Sequence, residues 1–253
     1  MKIAAQLMTV HEYMKTPEDI YATLKKLREI GYIAVQASFA YIGPIDLKLL
    51  RSYVDELGME ICGTHVPYER IVNDTAALIE EHHLMGSPFI GLGAIVGDRT
   101  EEGYKRFAES LAAPAKMISD AGMKFTYHNH DFEFLKFGQR TGMDIIIDNS
   151  DPDTFKLLPD IYWLQLGGII PSAFLLEHAN RIAYVHFKDA KYSANCKLEM
   201  TEVGNGNINW KYITKICREI GVTCAAVEQD RNWTDGNSIN SLEVSYNYLK
   251  NIV

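Results

Sequence analysis

Residues 16–39 read TPEDIYATLKKLREIGYIAVQASF, a helix pattern followed at once by a strand pattern. Thr16 suits a helix N-cap, and Pro17 suits the first helical position because its missing N–H is not needed there. Glu18 and Asp19 favour the positive end of the helix dipole, and Gly31 marks the stop. Ile20, Leu24, Leu27 and Ile30 recur at helical spacing and give one apolar stripe. IAVQASF then reads as a strand, and Lys2–Leu7 forms another strand before the helix. Strand, helix, strand in this order demands parallel strands with a covering helix.

The same unit recurs along the chain. EICGTHV, FIGLGAI, KFTYHNH, FKLLPDIYWLQ, IAYVHFKD and CAAVEQD read as further strands. DLKLLRSYVDELG, DTAALIEEHHLMG, TEEGYKRFAESLAAPAKMISDAG, a short run near Met143–Asp148, another near Ser172–Ala179, NWKYITKICREIG and SINSLEVSYNYLKNI read as helices. Eight βα units in 253 residues match the length of a closed (β/α)8 TIM barrel, here one domain over residues 1–253. A doubly wound open sheet should offer a Gly-rich first turn, whereas the loop after the first strand is MTVHEYMK. The longest irregular stretch, Lys191–Asn207, is a plausible active-site loop.

Composition narrows the function classes. Net charge is −8 with no basic block, which argues against nucleic acid and suits small polar substrates and metal cations. Cys62, Cys196, Cys217 and Cys224 show neither a CxxC pair nor zinc-finger spacing, as expected of reduced cysteines in a cytoplasmic protein. The N-terminal apolar run is interrupted by Gln6, and no stretch is long enough for a membrane span. A cytoplasmic protein with no membrane partner is expected, with homo-oligomerisation left open.

Barrel sites sit at the C-terminal ends of the strands. Those ends are rich in ligating groups: His65 on strand three, His128 and His130 on strand five, and Asp160 on or near strand six. Strand seven ends in His186, Lys188 and Asp189, and strand eight in Glu228 and Asp230. Alternation puts Thr126, His128 and His130 on one face, Tyr184, His186 and Lys188 on another, and Cys224, Ala226 and Glu228 on a third. A lone strand-end histidine is more often a hydrogen-bonded core residue than a ligand. Glu228 after CAAV is harder to dismiss, because a buried carboxylate needs a cationic partner. Together these groups form a mixed N/O set suited to Mn2+, Zn2+, Mg2+, Co2+ or Fe2+. His128 and His130 are too close for both to bind one ion easily. His82–His83 on its helix reads as surface, and His178 as structural.

EIGYIAVQ, GTHV, YHNHDFEF, DIYWLQLGG, RIAYVHFKD, VGNGNINW, VEQD and the terminal SYNYLK, taken in order, span nearly the whole chain. In that order they resemble the xylose-isomerase-like TIM barrels of the sugar phosphate isomerase/epimerase group. The resemblance implies one divalent metal ion held by His128, Asp160, His186 and Glu228. Many relatives carry glutamate where His128 stands, and use it with the strand-eight glutamate as an acid/base pair. That departure transfers the second acid/base role to His130, Glu133, Asp131 or His65, with Glu228 retained as the other. Gln36, where relatives often carry glutamate, and Trp163, where some carry histidine, are further departures. Lys188 is expected either to neutralise an oxyanion or to pair with Asp189 or another rim carboxylate. Trp163, Gln165 and Asp189 are read as substrate contacts, with rim packing the plainer reading of Trp163.

The resemblance implies a carbohydrate substrate and an enediolate, from which epimerisation, isomerisation or loss of a β-substituent can follow. No phosphate-cradling Gly-rich loop is present. Two other classes stay open: a non-catalytic sugar-binding barrel, and an abasic-DNA endonuclease, against which the acidic charge argues.

Overall fold

The computed structural model describes residues 1–253. Its barrel strands are β1 (Lys2–Gln6), β2 (Ala34–Ser38), β3 (Glu60–His65), β4 (Phe89–Leu92), β5 (Lys124–His128), β6 (Phe155–Leu158), β7 (Val185–Phe187) and β8 (Cys224–Val227). All pair in parallel, in the order β6-β5-β4-β3-β2-β1-β8-β7. Two isolated parallel bridges, Leu157 with Ile182 and Asp160 with His186, close the ring between β6 and β7. This is the expected TIM barrel. The closure itself brings Asp160 beside His186, whose backbone N donates to the Pro159 carbonyl at 2.9 Å.

The first helix runs Pro17–Ile30 with a reciprocal Thr16–Asp19 capping box, and Gly31 ends it at φ 127°. Ile20, Leu24 and Leu27 join the main apolar core between strands and helices. A second, smaller cluster of Ala4, Ala34, Cys62, Leu158, Tyr184, Cys224 and Ala226 plugs the barrel interior. Small residues dominate there because the interior is narrow and Tyr184 takes much of it. A Cβ on Gly63 would fall 2.6 Å from the Tyr184 hydroxyl, so β3 needs glycine at that point. Above this plug the inward positions turn polar, and the site begins.

Four local expectations are corrected. FKLLPDIYWLQ is a strand only to Leu158; Pro159 lacks an N–H, and Asp160 caps a helix over Ile161–Leu166 by accepting from Trp163 N at 3.1 Å. The 100–122 segment is two helices, Glu101–Ser110 and Ala112–Asp120, because Pro114 cannot donate back to the turn before it. Lys191–Asn207 is not irregular: Asp189–Tyr192 and Leu198–Thr201 form an antiparallel hairpin, followed by a Gly-rich turn. His82 is buried rather than on the surface, its Nδ1 donating to the Leu78 carbonyl at 2.6 Å and its Nε2 accepting from Thr64 Oγ1 at 2.7 Å. Its helix tucks His82 under β3 and leaves His83 exposed. No helix is long and apolar enough to cross a membrane.

Candidate metal centre

β5, β7, β8 and the turn after β6 deliver His128, His186, Glu228 and Asp160 to one point. One ligand atom from each lies within 4.8 Å of the others, and all four residues are buried. Asp160 divides its oxygens: Oδ1 caps the following helix, while Oδ2 stands 3.2 Å from His128 Nε2 and 3.8 Å from His186 Nδ1. Asn129 Oδ1 accepts from Asp160 N at 3.1 Å and so locks the β6 end to β5. Strand alternation turns Asn129 off the His128 face, and its bridging role had no sequence signal.

The hydrogen-bond network assigns the tautomers. His128 Nδ1 donates to the Gly93 carbonyl at 3.0 Å. His186 Nε2 donates to Gln36 Oε1 at 2.5 Å, and Gln36 Nε2 in turn donates to the Tyr184 hydroxyl at 2.8 Å. With those nitrogens donating, the other nitrogen of each ring faces a carboxylate oxygen. His186 Nδ1 approaches Glu228 Oε2 to 2.9 Å, yet neither atom has an aligned hydrogen bond. Facing lone pairs at this distance are stable only with a cation or a proton between them. Two imidazoles and two carboxylates, with the rings oriented from behind, are a donor set that fits a divalent ion. Gln36 supplies that orientation to His186 without adding charge.

The charges of these groups depend on one another. Burial alone would raise Glu228, but Lys188 and His186 hold its carboxyl well below the usual range. Burial likewise opposes ionisation of Asp160, yet Lys188 and His128 hold it below its ordinary value. For His186 burial acts downward, and Glu228 with Asp160 overcomes it, so its ring is pulled up. Lys188 is raised against burial by Glu228, Asp160 and Asp230. Its Nζ pairs with Glu228 at 3.1 Å, Asp230 at 3.2 Å and Asp160 at 3.5 Å, and not with Asp189.

A pocket of about 580 Å3 opens over the cluster, lined among others by His65, His128, His130, Lys188, Glu228 and Asp230. Such a volume suits a small ligand. His65 Nε2 and His130 Nδ1 are buried without partners. Burial and the neighbouring His128 push His65 well down and His130 down to about 3, so both rings are neutral near pH 7. Trp163 does not line this pocket but packs against its residues, its ring 5.4 Å from Lys188 Nζ and 5.2 Å from the His130 ring, with Nε1 unpartnered.

Five residues expected as acid/base groups or substrate contacts do not line the pocket, Trp163 among them. Gln165 is exposed on the Ile161–Leu166 helix. Asp189 faces the loop instead, its carboxylate accepting from Ala190 N, Gly204 N, Gly206 N and Trp210 Nε1. A Cβ on Gly206 would lie 2.1 Å from Asp189 Oδ1, so the turn can wrap the carboxylate only with glycine there. Glu133 is fully buried behind β5, accepting from the Tyr127 hydroxyl and from His130 N at 2.9 Å. Its link to the pocket-lining His130 is that backbone hydrogen bond. Asp131 does not line the pocket.

Burial pushes the Glu133 carboxyl from 4.5 up to about 7, against its hydrogen bonds from Tyr127 and His130. A carboxyl raised on folding adds stability in full below its unfolded value, and that stability is lost as pH rises through about 7. Relative to Glu133→Gln, the wild-type chain should lose up to about 3 kcal/mol between pH 4.5 and 8. Urea midpoints of both proteins at pH 5 and pH 8 measure this; parallel profiles would show that Glu133 ionises without penalty.

Residues 24–248 match the family described as xylose isomerase-like TIM barrel, and the chain belongs to that family. An inosose dehydratase of Clostridium beijerinckii is 27% identical over 214 residues, covering 70% of each chain. Among solved structures, a sugar phosphate isomerase/epimerase from Parabacteroides distasonis aligns with a TM-score of 0.82 at 20% identity, over 98% of this chain and 93% of that one. A xylose isomerase-like TIM barrel protein from Mycobacterium smegmatis in complex with magnesium aligns at 0.76 and 14% identity, over 99% and 96%.

Proposed function

We propose that this protein is a divalent-metal-dependent enzyme that isomerises or epimerises a sugar, keto-sugar or sugar phosphate through an enediolate. The observation that carries the reading is the four-residue ligand group beneath a pocket holding two neutral, unpartnered imidazoles. His128, Asp160, His186 and Glu228 would hold the ion, with Mn2+, Zn2+, Mg2+, Co2+ and Fe2+ all compatible with the donors. When bound, the ion supplies a Lewis acid for a carbonyl oxygen and thereby acidifies the adjacent C–H. His65 or His130 takes that proton at its free ring nitrogen and returns it, while Glu228 serves as the carboxylate of the acid/base set. Lys188 donates to the oxygen that gains charge, and Trp163 offers a face for a sugar ring. Return of the proton to the opposite face gives an epimer, and its return to the neighbouring carbon gives an aldose–ketose isomer.

A second reading, elimination of water or of a glycosidic group from the same enediolate, is favoured by two observations. His128 occupies the β5 position, so the centre has one carboxylate base instead of two opposed ones. The related chain named inosose dehydratase, 27% identical, also supports it.

The test is incubation of Mn2+-loaded protein with ketoses, inososes and 3-keto-glycosides in deuterated buffer, followed by NMR. Deuterium at the carbon beside the carbonyl is expected, with His65→Gln or His130→Gln reducing its rate by about 10²–10⁴-fold for whichever ring carries the proton. An unsaturated or cleaved product selects elimination. Protein that carries metal yet neither exchanges nor converts any of these compounds would be a binding barrel, and the proposal would fall.

A further inference from the structure

Lys188 reaches the same oxygens that a bound ion would use. Its Nζ contacts Glu228 Oε2 at 3.1 Å and Asp160 Oδ2 at 3.5 Å, the two atoms that face His186 Nδ1 and His128 Nε2. The third carboxylate on the ammonium, Asp230 Oδ2 at 3.2 Å, lies outside the four-residue group. Asp230 lines the pocket, and its Oδ1 is buried without a partner. Asp160, Glu228 and Asp230 together carry three negative charges; Lys188 carries one positive charge, and a divalent ion would bring two more. With both imidazoles uncharged the buried site is neutral only with both cations present, and in a low-dielectric setting each uncompensated charge is costly.

Resting on the metal-centre reading above, we propose that Lys188 is a resident counter-cation of Asp160 and Glu228. It yields their oxygens to the divalent ion and is retained by Asp230. Asp230 then sets metal affinity without being a ligand, and the Lys188–Asp230 pair keeps an ammonium on the pocket wall beside the centre. Two cations that share oxygens oppose each other, and a third carboxylate that takes up the displaced one relieves the opposition.

Mn2+ titration of the full chain by calorimetry or equilibrium dialysis tests this as a double-mutant cycle. Lys188→Met removes the competitor and should tighten Mn2+ binding by roughly tenfold or more. Asp230→Asn leaves the ammonium nowhere to go and should weaken binding by roughly tenfold or more. The double variant should match Lys188→Met, roughly tenfold tighter than wild type, because Asp230 acts only through Lys188. If Asp230→Asn still weakens Mn2+ binding in the Lys188→Met background, Asp230 is itself a ligand and the proposal is wrong. If neither substitution moves the affinity, Lys188 is a packing residue and the proposal is also wrong. Should Lys188→Met not fold, Asp230→Asn alone decides, since an unchanged affinity there overturns the coupling. Wild-type protein that takes up none of the candidate ions removes the metal-centre reading itself, an outcome distinct from a flat cycle on a protein that binds.

Discussion

Glu228→Gln and His186→Ala are each expected to bring purified protein from about one divalent ion per chain to almost none, as read by elemental analysis after dialysis. Groups that merely orient a metal ligand are worth about 10–100-fold in affinity, so loss of a ligand should exceed roughly a hundredfold. The two variants test the centre from different sides. Glu228→Gln keeps the shape of a side chain that lies among His186 and Lys188, and removes only its charge. His186→Ala removes the ring whose Nε2 is held by Gln36, and leaves Gln36 Oε1 without its partner. Their stability costs therefore differ, while their metal outcome should be the same. Normal metal occupancy in both would remove the proposed ligand set, and exchange of substrate protons should disappear with the metal.

Asp189→Asn should lower stability by about 3 kcal/mol while sparing metal content, because its carboxylate serves the loop and not the ion. Trp210 Nε1 reaches Oδ2 at 2.6 Å, and Gly204 N and Gly206 N reach the same oxygen at 2.9 and 3.1 Å. Ala190 N reaches Oδ1 at 2.7 Å. An amide can present an acceptor on one side only, so its N–H2 group would face donors on the other. Hydrogen bonds to a charged acceptor are worth about 1.5–3 kcal/mol, and donors left unpaired in the interior add to the loss. For a chain of this size that is a drop in Tm on the order of 10 °C. Thermal unfolding of the metal-loaded variant gives the number. A change below about 1 kcal/mol would mean that the Gly-rich turn holds itself in place without Asp189.

The barrel was legible because each of its repeats carries its own local signal. Helix punctuation such as Thr16, Pro17 and Gly31 acts within a few residues and was found where it was read. Alternation correctly placed Tyr184 and His186 with Lys188, and Cys224 and Ala226 with Glu228, since strand parity is a property of the backbone alone. Local patterning misled at DIYWLQ, where an apolar run of that length fits either strand or helix. The choice there was made by Pro159 and the Asp160 cap. His82 was misread for a different reason: its partner, Thr64, comes from a strand that precedes it by 18 residues.

By itself the sequence determined the alternation of strands and helices, the closed parallel barrel and the set of polar residues at its rim. Those follow from periodicity and from short-range caps. The tertiary structure alone decided how that set divides. Glu133, Asp189 and His130 all look like acidic or imidazole candidates in the chain. Yet Glu133 lies behind β5 and Asp189 is wrapped by its own loop, while His130 lines the pocket and keeps a ring nitrogen without a partner. Partners contributed by distant segments, Gln36 to His186, Gly93 to His128 and Lys188 to Glu228, decide which side chains retain an unsatisfied atom. Such pairings arise only when the ring closes, because hydrogen bonds and charge compensation depend on proximity in space and not along the chain.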